Sequence, residues 1–262
     1  MKKVTYRELT TADVLTVRDG YRAKGTLFPT SVSGWFNCPY RWVYERTFPL
    51  PDSVEADLGK KIHDALYKSW DLEEGVPKRL EKCNLSASLR ALKDPPNAIL
   101  TAEKQFEKQW EGLTICGRID FHIRYIFPDK KQSISVYDIK TMKEVDKRKM
   151  EKYRDSMQFA WYAFLTNANR VICIPITSKP EYATDGDSAW AEGLTNAHAN
   201  EVECVLPVHN SLAMFEEVCS DRINKFVAWL NSRKVTLPEK CPNYCRWCSC
   251  YKRGICKGGK DA

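Results

Sequence analysis

The sequence predicts an α/β or α+β protein in which helices flank one mixed β-sheet. Apolar residues at helical spacing mark the early part of the chain and return after residue 149. Between them, residues 99–140 are rich in β-branched and aromatic residues, which favour strands. The resulting order is helices, a strand meander, a helix, two strands and a helix, which is typical of a sheet covered by helices.

The N-terminal region predicts an irregular start followed by a helix. Residues 1–29 look irregular or extended. A helix is expected to begin near Thr30 or Ser31, either of which could cap it, and to carry Cys38. Pro39 falls inside this helix and therefore predicts a kink or a break.

Two more helices are predicted before the strands. Residues 48–52 contain two prolines and predict a loop. Apolar spacing predicts a helix over residues 53–70, with His63 beside its apolar stripe. Residues 78–93 predict a further helix, which the Asp-Pro-Pro run at 94–96 would end.

The strand meander follows, and its strands are predicted over residues 99–110, 114–127 and 133–140. In the first strand the polar residues at odd positions from 101 to 109 are expected to share one side. Short turns are predicted at residues 111–112 and around 128–129.

The rest of the chain predicts a helix over residues 149–167, strands over 170–177 and 201–208, a polar loop over 178–200 and a last helix over 211–233. The Cys-rich tail after this helix is too short to fold without a cross-link or a metal.

Composition limits the class of protein without deciding it. The chain has 262 residues and a net charge of +7, which suits a polyanion such as DNA and also many unrelated soluble proteins. No apolar run approaches the length of a membrane span, and the N-terminus lacks the apolar core of a signal peptide. We therefore expect a cytoplasmic protein with reduced thiols and no membrane partner.

Two neighbouring strands carry charged residues that suit metal-assisted chemistry. Asp138 and Lys140 are two apart and so point to the same face, and Asp120 on the preceding strand could reach that face. Two carboxylates can hold Mg²⁺ or Mn²⁺, and a nearby Lys can orient a water or stabilise developing charge. Asp-x-Lys also occurs by chance, as a surface charge pair.

Further residues could join this group, although each also has an ordinary structural explanation. His63 lies on an amphipathic helix, and Glu103 lies on the strand before Asp120. Gln158 and Tyr162 are four apart, so they share one helix face and could contact DNA or brace the lysine.

The order of these motifs resembles the RecB-like branch of the PD-(D/E)xK nucleases, which shows a helical His, a Gly-x-x-Asp strand, an acid-x-Lys strand and a Gln-x-x-x-Tyr helix. The resemblance covers roughly residues 30–256. It implies a restriction-endonuclease-like core, a catalytic Lys140, and motif residues Gln158 and Tyr162 behind the site. The metal ligands that it implies are His63, Asp120, Asp138 and the backbone carbonyl of Ile139. Val136-Tyr137, rather than the Pro-Asp pair often found in this family, precedes Asp138.

The C-terminal cysteines predict a metal site. Cys245 and Cys248 form a Cys-x-x-Cys pair, and Cys241, Cys250 and Cys256 lie close by. Four thiolates can complete either a zinc site or an iron–sulfur cluster. The tail alone could supply four ligands, so a local zinc knuckle stays open.

The segment around Cys38 resembles the one in which the iron–sulfur members of this branch, the AddB-type subunits and the CRISPR-associated exonucleases, keep their first ligand. The resemblance implies a [4Fe–4S] cluster that closes the tail onto the N-terminal helix. Cys250 or Cys241 could replace one of the ligands, which are Cys38, Cys245, Cys248 and Cys256.

A basic stretch leads from the active strand into the next helix, with Tyr153 and Trp161 interleaved, and could track a single strand of DNA. A solvated helix face is the equal alternative, because acidic residues offset much of the charge. The stretch consists of Lys140, Lys143, Lys147, Arg148, Lys149, Lys152 and Arg154.

We thus expect one structural unit with a helical region (1–96), a nuclease core (97–210) and a cluster-binding tail (211–262). The expected activity is a metal-dependent DNA exonuclease acting on single strands or duplex ends, in recombination, repair, phage DNA processing or CRISPR adaptation. No helicase P-loop is present, so unwinding would need a helicase or recombination partner. The alternative is a non-catalytic, metal-stapled nucleic-acid binder.

Overall fold

The computed structural model describes residues 7–50, 56–57, 59–60, 63–64, 98–142, 147–177, 204–240, 250 and 255–256. The predictions for residues 78–93 and 178–200 lie outside the described residues, as does most of the helix predicted over 53–70. The described residues of that helix from 56 to 64 are helical. No helix in the described ranges is long and apolar enough to cross a membrane.

Bounds are defined for six helices and six strands in the described part of the chain. The helices are α1 (Thr11–Lys24), α2 (Pro29–Asn37), α3 (Pro39–Thr47), α4 (Lys147–Arg154), α5 (Met157–Thr166) and α6 (Ser211–Asn231). The strands are β1 (Thr26–Leu27), β2 (Ala98–Trp110), β3 (Leu113–Ile126), β4 (Gln132–Met142), β5 (Arg170–Thr177) and β6 (Cys204–Pro207).

Helix α1 shows that the prediction of an irregular or extended segment over residues 1–29 was wrong. Thr10 caps the helix through a capping box with Asp13, whose carboxylate accepts a hydrogen bond from the Thr10 backbone N–H at 2.8 Å. Gly25 ends the helix in the left-handed conformation, with φ of 61°. The helix was missed because its buried side includes the cation Arg18 and so breaks the apolar stripe.

The break predicted at Pro39 is confirmed, and Cys38 lies at it. Cys38 is extended, with φ of −162°, and it ends α2 and begins α3. Its sulfur accepts a hydrogen bond from the backbone N–H of Arg41 at 3.4 Å. Helix α2 begins at Pro29 after Phe28, so neither Thr30 nor Ser31 caps it, contrary to the prediction.

The strands form the predicted mixed sheet. β3 and β4 pair antiparallel, β4 and β5 parallel, and β5 and β6 antiparallel. β2 pairs with β3 on one side, and β1 pairs in parallel with the first residues of β3. The fold class predicted from the sequence, a mixed sheet flanked by helices, is confirmed and is consistent with a restriction-endonuclease-like core.

Both predicted hairpin turns are present. Glu111 and Gly112 have φ of 47° and 77°, and this pair of left-handed residues suits a two-residue hairpin loop. Lys130, with φ of 64°, completes the turn between β3 and β4. The alternation predicted along β2 fails at Glu103, which also has a positive φ, so that Lys104 and Gln105 are both exposed.

The single helix predicted over residues 149–167 is two helices, α4 and α5. Ser156 is extended and accepts a hydrogen bond from the backbone N–H of Phe159 at 3.3 Å. This serine caps a new helix because its hydroxyl satisfies an N–H group that has no partner within the helix. Asn167 ends α5 in the left-handed conformation, with φ of 54°.

The chain divides into two units, each assembled from separated stretches. The first unit comprises Met1–Pro51, Lys108–Cys116 and Cys219–Ala262. The second unit comprises Asp52–Glu107 and Gly117–Val218. The three functional regions drawn from the sequence, 1–96, 97–210 and 211–262, stay a prediction.

Aromatic packing and arginine hydrogen bonds hold the first unit. Phe226 packs against Trp42 and Trp35, with ring centroids 5.4 and 5.6 Å apart. The buried guanidinium of Arg18 donates to the backbone carbonyls of Leu230, Ser232 and Lys234. Arg18 thereby satisfies carbonyls at the end of α6 that have no partner within the helix. This part of the C-terminal tail is therefore held against α1.

The core of the second unit lies around α5, whose described residues are almost all buried. Trp161 is fully buried, and its ring lies 5.5 Å from that of Phe215 on α6. Phe164 stacks on Phe215 at 4.3 Å. This packing fixes α5 in the second unit, which matters because α5 carries Gln158 and Tyr162.

Candidate metal centre

The antiparallel pairing of β3 and β4 brings Asp120 next to the acid-x-Lys strand. Phe121 pairs with Tyr137, and the next position of this register places Asp120 opposite Asp138. The Oδ2 atom of Asp120 accepts a hydrogen bond from the backbone N–H of Ile139 at 2.6 Å. Ile139 itself is buried, as predicted for the residue between two charged neighbours.

A group of metal-ligating side chains lies at this position. Ligand atoms of His63, Glu103 and Asp120 all lie within 4.8 Å of one another, which occurs for no other such trio in the described part of the chain. The Nδ1 atom of His63 is 3.7 Å from Oε1 of Glu103 and 3.7 Å from Oδ1 of Asp120. One imidazole nitrogen and two carboxylate oxygens form a donor set that suits Mn²⁺ or Mg²⁺.

Glu103, which the sequence offered only as a further candidate, is a central member of this group. Its φ of 49° is uncommon for a residue with a side chain and interrupts the alternation of β2. One carboxylate oxygen faces His63, and the other lies 2.7 Å from Nε of Arg118 in an ion pair. Sequence reasoning could not find this pairing, because it depends on a local distortion of the strand.

A second polar network surrounds Asp138, which is 1% exposed. Its Oδ2 atom lies 2.7 Å from Nζ of Lys140. Gln158 donates from Nε2 to Oδ1 of Asp138 at 3.3 Å and to the hydroxyl of Tyr162 at 2.7 Å. The structure therefore joins all four residues that the sequence placed on the acid-x-Lys strand and the Gln-x-x-x-Tyr helix.

Burial and neighbouring charges shift the acidity of these groups. Burial, assisted by the charge of Asp138, raises the pKa of Asp120 to about 7. Burial also raises the pKa of Asp138, against the opposing attraction of Lys140. Burial alone would lower the pKa of His63, but the nearby carboxylates of Glu103, Asp120 and Asp138 raise it. The pocket thus favours positive charge, which is the condition for binding a cation.

Glycine at position 117 allows α5 to approach β3. A Cβ atom there would lie 2.7 Å from Cδ1 of Leu165 and 3.2 Å from Cε1 of Tyr162. The first residue of the Gly-x-x-Asp motif therefore leaves room for the aromatic ring whose hydroxyl meets Gln158. This close packing explains the glycine without requiring that it contact a metal.

Only part of the predicted cluster site lies in the described residues. Cys38, Cys250 and Cys256 are buried at 8%, 0% and 6% exposure. Burial is the main cause of a raised pKa at Tyr40, and smaller contributions come from Cys256 and Cys250. The backbone N–H of Tyr40 donates a hydrogen bond to the backbone carbonyl of Glu239 at 3.3 Å. The cysteines at 241, 245 and 248 lie outside the described residues, so the ligand set stays a prediction.

The predicted DNA-binding stretch changes in one respect. Trp161 is fully buried and cannot stack on a base, so it does not belong to a nucleic-acid surface. Arg148 and Lys152 on α4 are exposed, and Tyr153 is half-buried. Residue 143 lies outside the described residues. An electrostatic role for α4 stays a prediction.

Comparisons with known proteins do not show a family for this chain. No protein-family model matches it, and no curated protein matches it. The protein of the crystal structure of SSO0001 is similar with a TM-score of 0.43 and 16% identity, over 95% of this chain and 96% of that one. A "Putative exonuclease" from Eubacterium rectale is similar with a TM-score of 0.47 and 10% identity, over 98% and 97% of the two chains. Similarities this distant carry no argument about activity.

Proposed function

We propose that this chain is a divalent-metal-dependent DNA nuclease. The observation that supports the proposal most is the convergence of His63, Glu103 and Asp120 beside the buried pair of Asp138 and Lys140. The cavity at this site has a volume of about 430 Å³, which is within the range of ligand pockets.

Each residue has a proposed role. His63 and Asp120 hold the ion together with Glu103, which the geometry adds to the set. Asp138 and the backbone carbonyl of Ile139 are further ligands that the resemblance to RecB-like nucleases implies. A bound Mg²⁺ or Mn²⁺ would polarise a phosphodiester and lower the pKa of a coordinated water.

Lys140 acts as a cation at the reacting phosphate. Although burial opposes the charged form, the charge and hydrogen bond of Asp138 raise the pKa of Lys140, so its ammonium group persists at neutral pH. It can therefore orient the attacking water or stabilise charge on the phosphate. Gln158 and Tyr162 position Asp138 from behind, and the raised pKa of Tyr162 keeps its phenol protonated.

The proposed substrate is DNA, as single strands or duplex ends, which the resemblance implies and the net charge of +7 suits. The proposed setting is recombination, repair, phage DNA processing or CRISPR adaptation, with a helicase or integration partner where duplex must be opened.

We also propose that a [4Fe–4S] cluster joins the two ends of the chain through Cys38, Cys245, Cys248 and Cys256, with Cys250 or Cys241 as possible replacements. Buried thiols at the junction of α2 and α3 and in the tail, both in the first unit, support this proposal. The bond from Cys38 would close a loop of about two hundred residues, which restricts the unfolded chain.

A cleavage assay tests the proposed activity. Labelled single-stranded and duplex DNA is incubated with the purified protein and Mn²⁺, and Lys140→Ala is compared with Lys131→Ala. Lys131 lies in the β3–β4 turn with its side chain 82% exposed, so it is a matched control. We expect Lys140→Ala to lose at least about a hundredfold in rate and the control to match the wild type. Equal activity in all three proteins would overturn the proposal.

A further inference from the structure

A cation lies beside the candidate metal ligands, and the proposed reaction has so far given it no role. Arg118 lines the same cavity as His63, Glu103 and Asp120, and Lys60 lies on the cavity wall as well. All five residues belong to the second unit. An arginine and a lysine side chain thus border the space where a bound ion would meet its substrate.

The geometry of Arg118 leaves most of its donors directed away from its protein partner. Its Nε atom forms an ion pair with Glu103, 2.7 Å from Oε2, while its side chain is 68% exposed. A guanidinium has five N–H donors in a rigid planar fork, so four others can serve a ligand. The Glu103 carboxylate holds the stem of the fork in place and keeps its outer edge accessible.

Glu103 links this guanidinium to the candidate ion site. The carboxylate oxygen that does not bind Arg118 is the one that faces His63. An ion held on that side and the guanidinium on the other are therefore separated by a single carboxyl group. A phosphate chain entering the cavity would meet both.

We propose that Arg118, assisted by Lys60, forms a phosphate-binding subsite that holds the backbone of the DNA next to the metal ion. The proposal rests on the proposed nuclease function. The planar guanidinium matches two oxygens of a phosphodiester, and the Glu103 carboxylate of the same cavity already holds it in position. We therefore assign a phosphodiester as the ligand.

The subsite also depends on the ion. Glu103 and, once it is ionised, Asp120 line the cavity with negative charge, which repels a phosphate when no cation is present. A divalent ion neutralises these carboxylates, so phosphate binding at Arg118 is expected to appear only when the ion is bound.

Binding measurements with phosphate-modified DNA test the subsite. Oligonucleotides that each carry one uncharged methylphosphonate are titrated against wild type, Arg118→Gln and Arg118→Lys in Ca²⁺ and, separately, in EDTA. At one position in the scan, replacing the phosphate with a methylphosphonate should weaken DNA binding by the wild type in Ca²⁺. The same replacement should weaken DNA binding by Arg118→Gln at least about threefold less, and a double-mutant cycle measures this difference. Arg118→Lys, which keeps the charge and loses the fork, should lie between them.

Two further results are expected. The salt dependence of binding in Ca²⁺ should fall by about one unit of slope in Arg118→Gln, since one phosphate contact is lost. Arg124→Gln is the matched control, because Arg124 lies on the same strand about 20 Å away and should leave both the slope and the scan unchanged.

Some outcomes would overturn the subsite. If the effects of Arg118→Gln and of the methylphosphonate on binding are additive at every phosphate position, Arg118 does not bind the DNA backbone. If Arg118→Gln instead weakens only the binding of the divalent ion, titrated without DNA, the residue is a positioning residue for Glu103 and the subsite is overturned. Because these readouts measure binding, a wild type that fails to cleave DNA would defeat the nuclease proposal separately, and a cleaving enzyme without the coupling would defeat only the subsite.

Discussion

At the scale of single residues, burial and charge act together on the carboxyl group of Asp120. Its pKa of about 7 contrasts with the ordinary value of 3.8, because the group is buried and faces the charge of Asp138. A carboxylate in this condition is costly to ionise without a cation. The structure therefore couples proton binding, metal binding and stability at one residue.

This coupling predicts how the stability of the metal-free protein depends on pH. Between about pH 4 and pH 7 the folded state keeps a proton on Asp120 that the unfolded state has released, so the free energy of unfolding falls as the pH rises through this window. Urea denaturation in EDTA measures the effect. Asp120→Asn should flatten the dependence, and added Mn²⁺ should stabilise the wild type more at pH 8 than at pH 5.5.

The opposite trend would contradict this explanation. A wild type that gains stability from pH 5.5 to 7.5 in EDTA by an amount that Asp120→Asn abolishes would show that the folded state favours the ionised carboxylate. The pocket would then lack the excess of negative charge described above.

The sequence alone predicted one part of the candidate site, namely the charged residues on β3 and β4. Asp120, Asp138 and Lys140 could be placed together because alternation along two strands fixes which side chains share a face. The contacts of Glu103 with His63 and Arg118 could not be predicted. They depend on the left-handed backbone conformation of Glu103 inside a strand, and no glycine in the sequence marks that conformation.

At the scale of elements, the packing of α5 on β3 positions the Gln-x-x-x-Tyr motif behind Asp138. Gly117 leaves the necessary room, and Tyr162 fills it. The hydrogen bonds from Gln158 to Asp138 and Tyr162 then follow from the position of the helix. A change at the glycine should therefore affect catalysis through the helix.

Gly117→Ala is expected to destabilise the protein by about 1–3 kcal/mol and to lower the proposed nuclease activity, since its Cβ would force Leu165 and Tyr162 to shift. Gly20→Ala is the control. Gly20 lies within α1, and a Cβ there meets nothing within 4 Å, so this substitution should stabilise the helix by about 0.5–1 kcal/mol. Thermal denaturation and the cleavage assay measure both. Equal effects of the two substitutions would show that α5 does not depend on the glycine.

The elements differ in how far the sequence predicts them. The meander was found because β-branched runs and turn residues such as Glu111-Gly112 act locally. Helix α1 was missed because its buried Arg18 interrupts the apolar stripe, although Thr10, Asp13 and Gly25 carried capping signals. Capping residues, rather than periodicity, were the reliable signal there.

At the scale of the whole molecule, the predicted cluster concerns how the two ends of the chain are held. The described part of the tail is fixed to α1 through Arg18 and to α3 through Tyr40. These contacts bring the chain before the cysteines close to Cys38, which is consistent with a shared site. The order of cysteines in the sequence could suggest this closure but could not choose between iron–sulfur and zinc.

Colour and metal content decide between the two. Protein purified without oxygen is expected to be brown, to absorb near about 400 nm and to contain iron. Cys38→Ser should lose both colour and iron. Cys219→Ala should keep them, because Cys219 is equally buried in the first unit but lies on α6 and is not a predicted ligand. A colourless wild type containing zinc would contradict the cluster.

The proposed function depends most directly on the binding of a divalent ion by His63, Glu103 and Asp120 in the second unit. Electron paramagnetic resonance of free Mn²⁺ during titration with protein measures this binding directly. We predict that Asp120→Asn and Glu103→Gln each weaken Mn²⁺ binding by more than about tenfold, while Asp129→Asn, at an exposed turn residue, leaves it unchanged. Mn²⁺ binding of equal strength in all four proteins would contradict it.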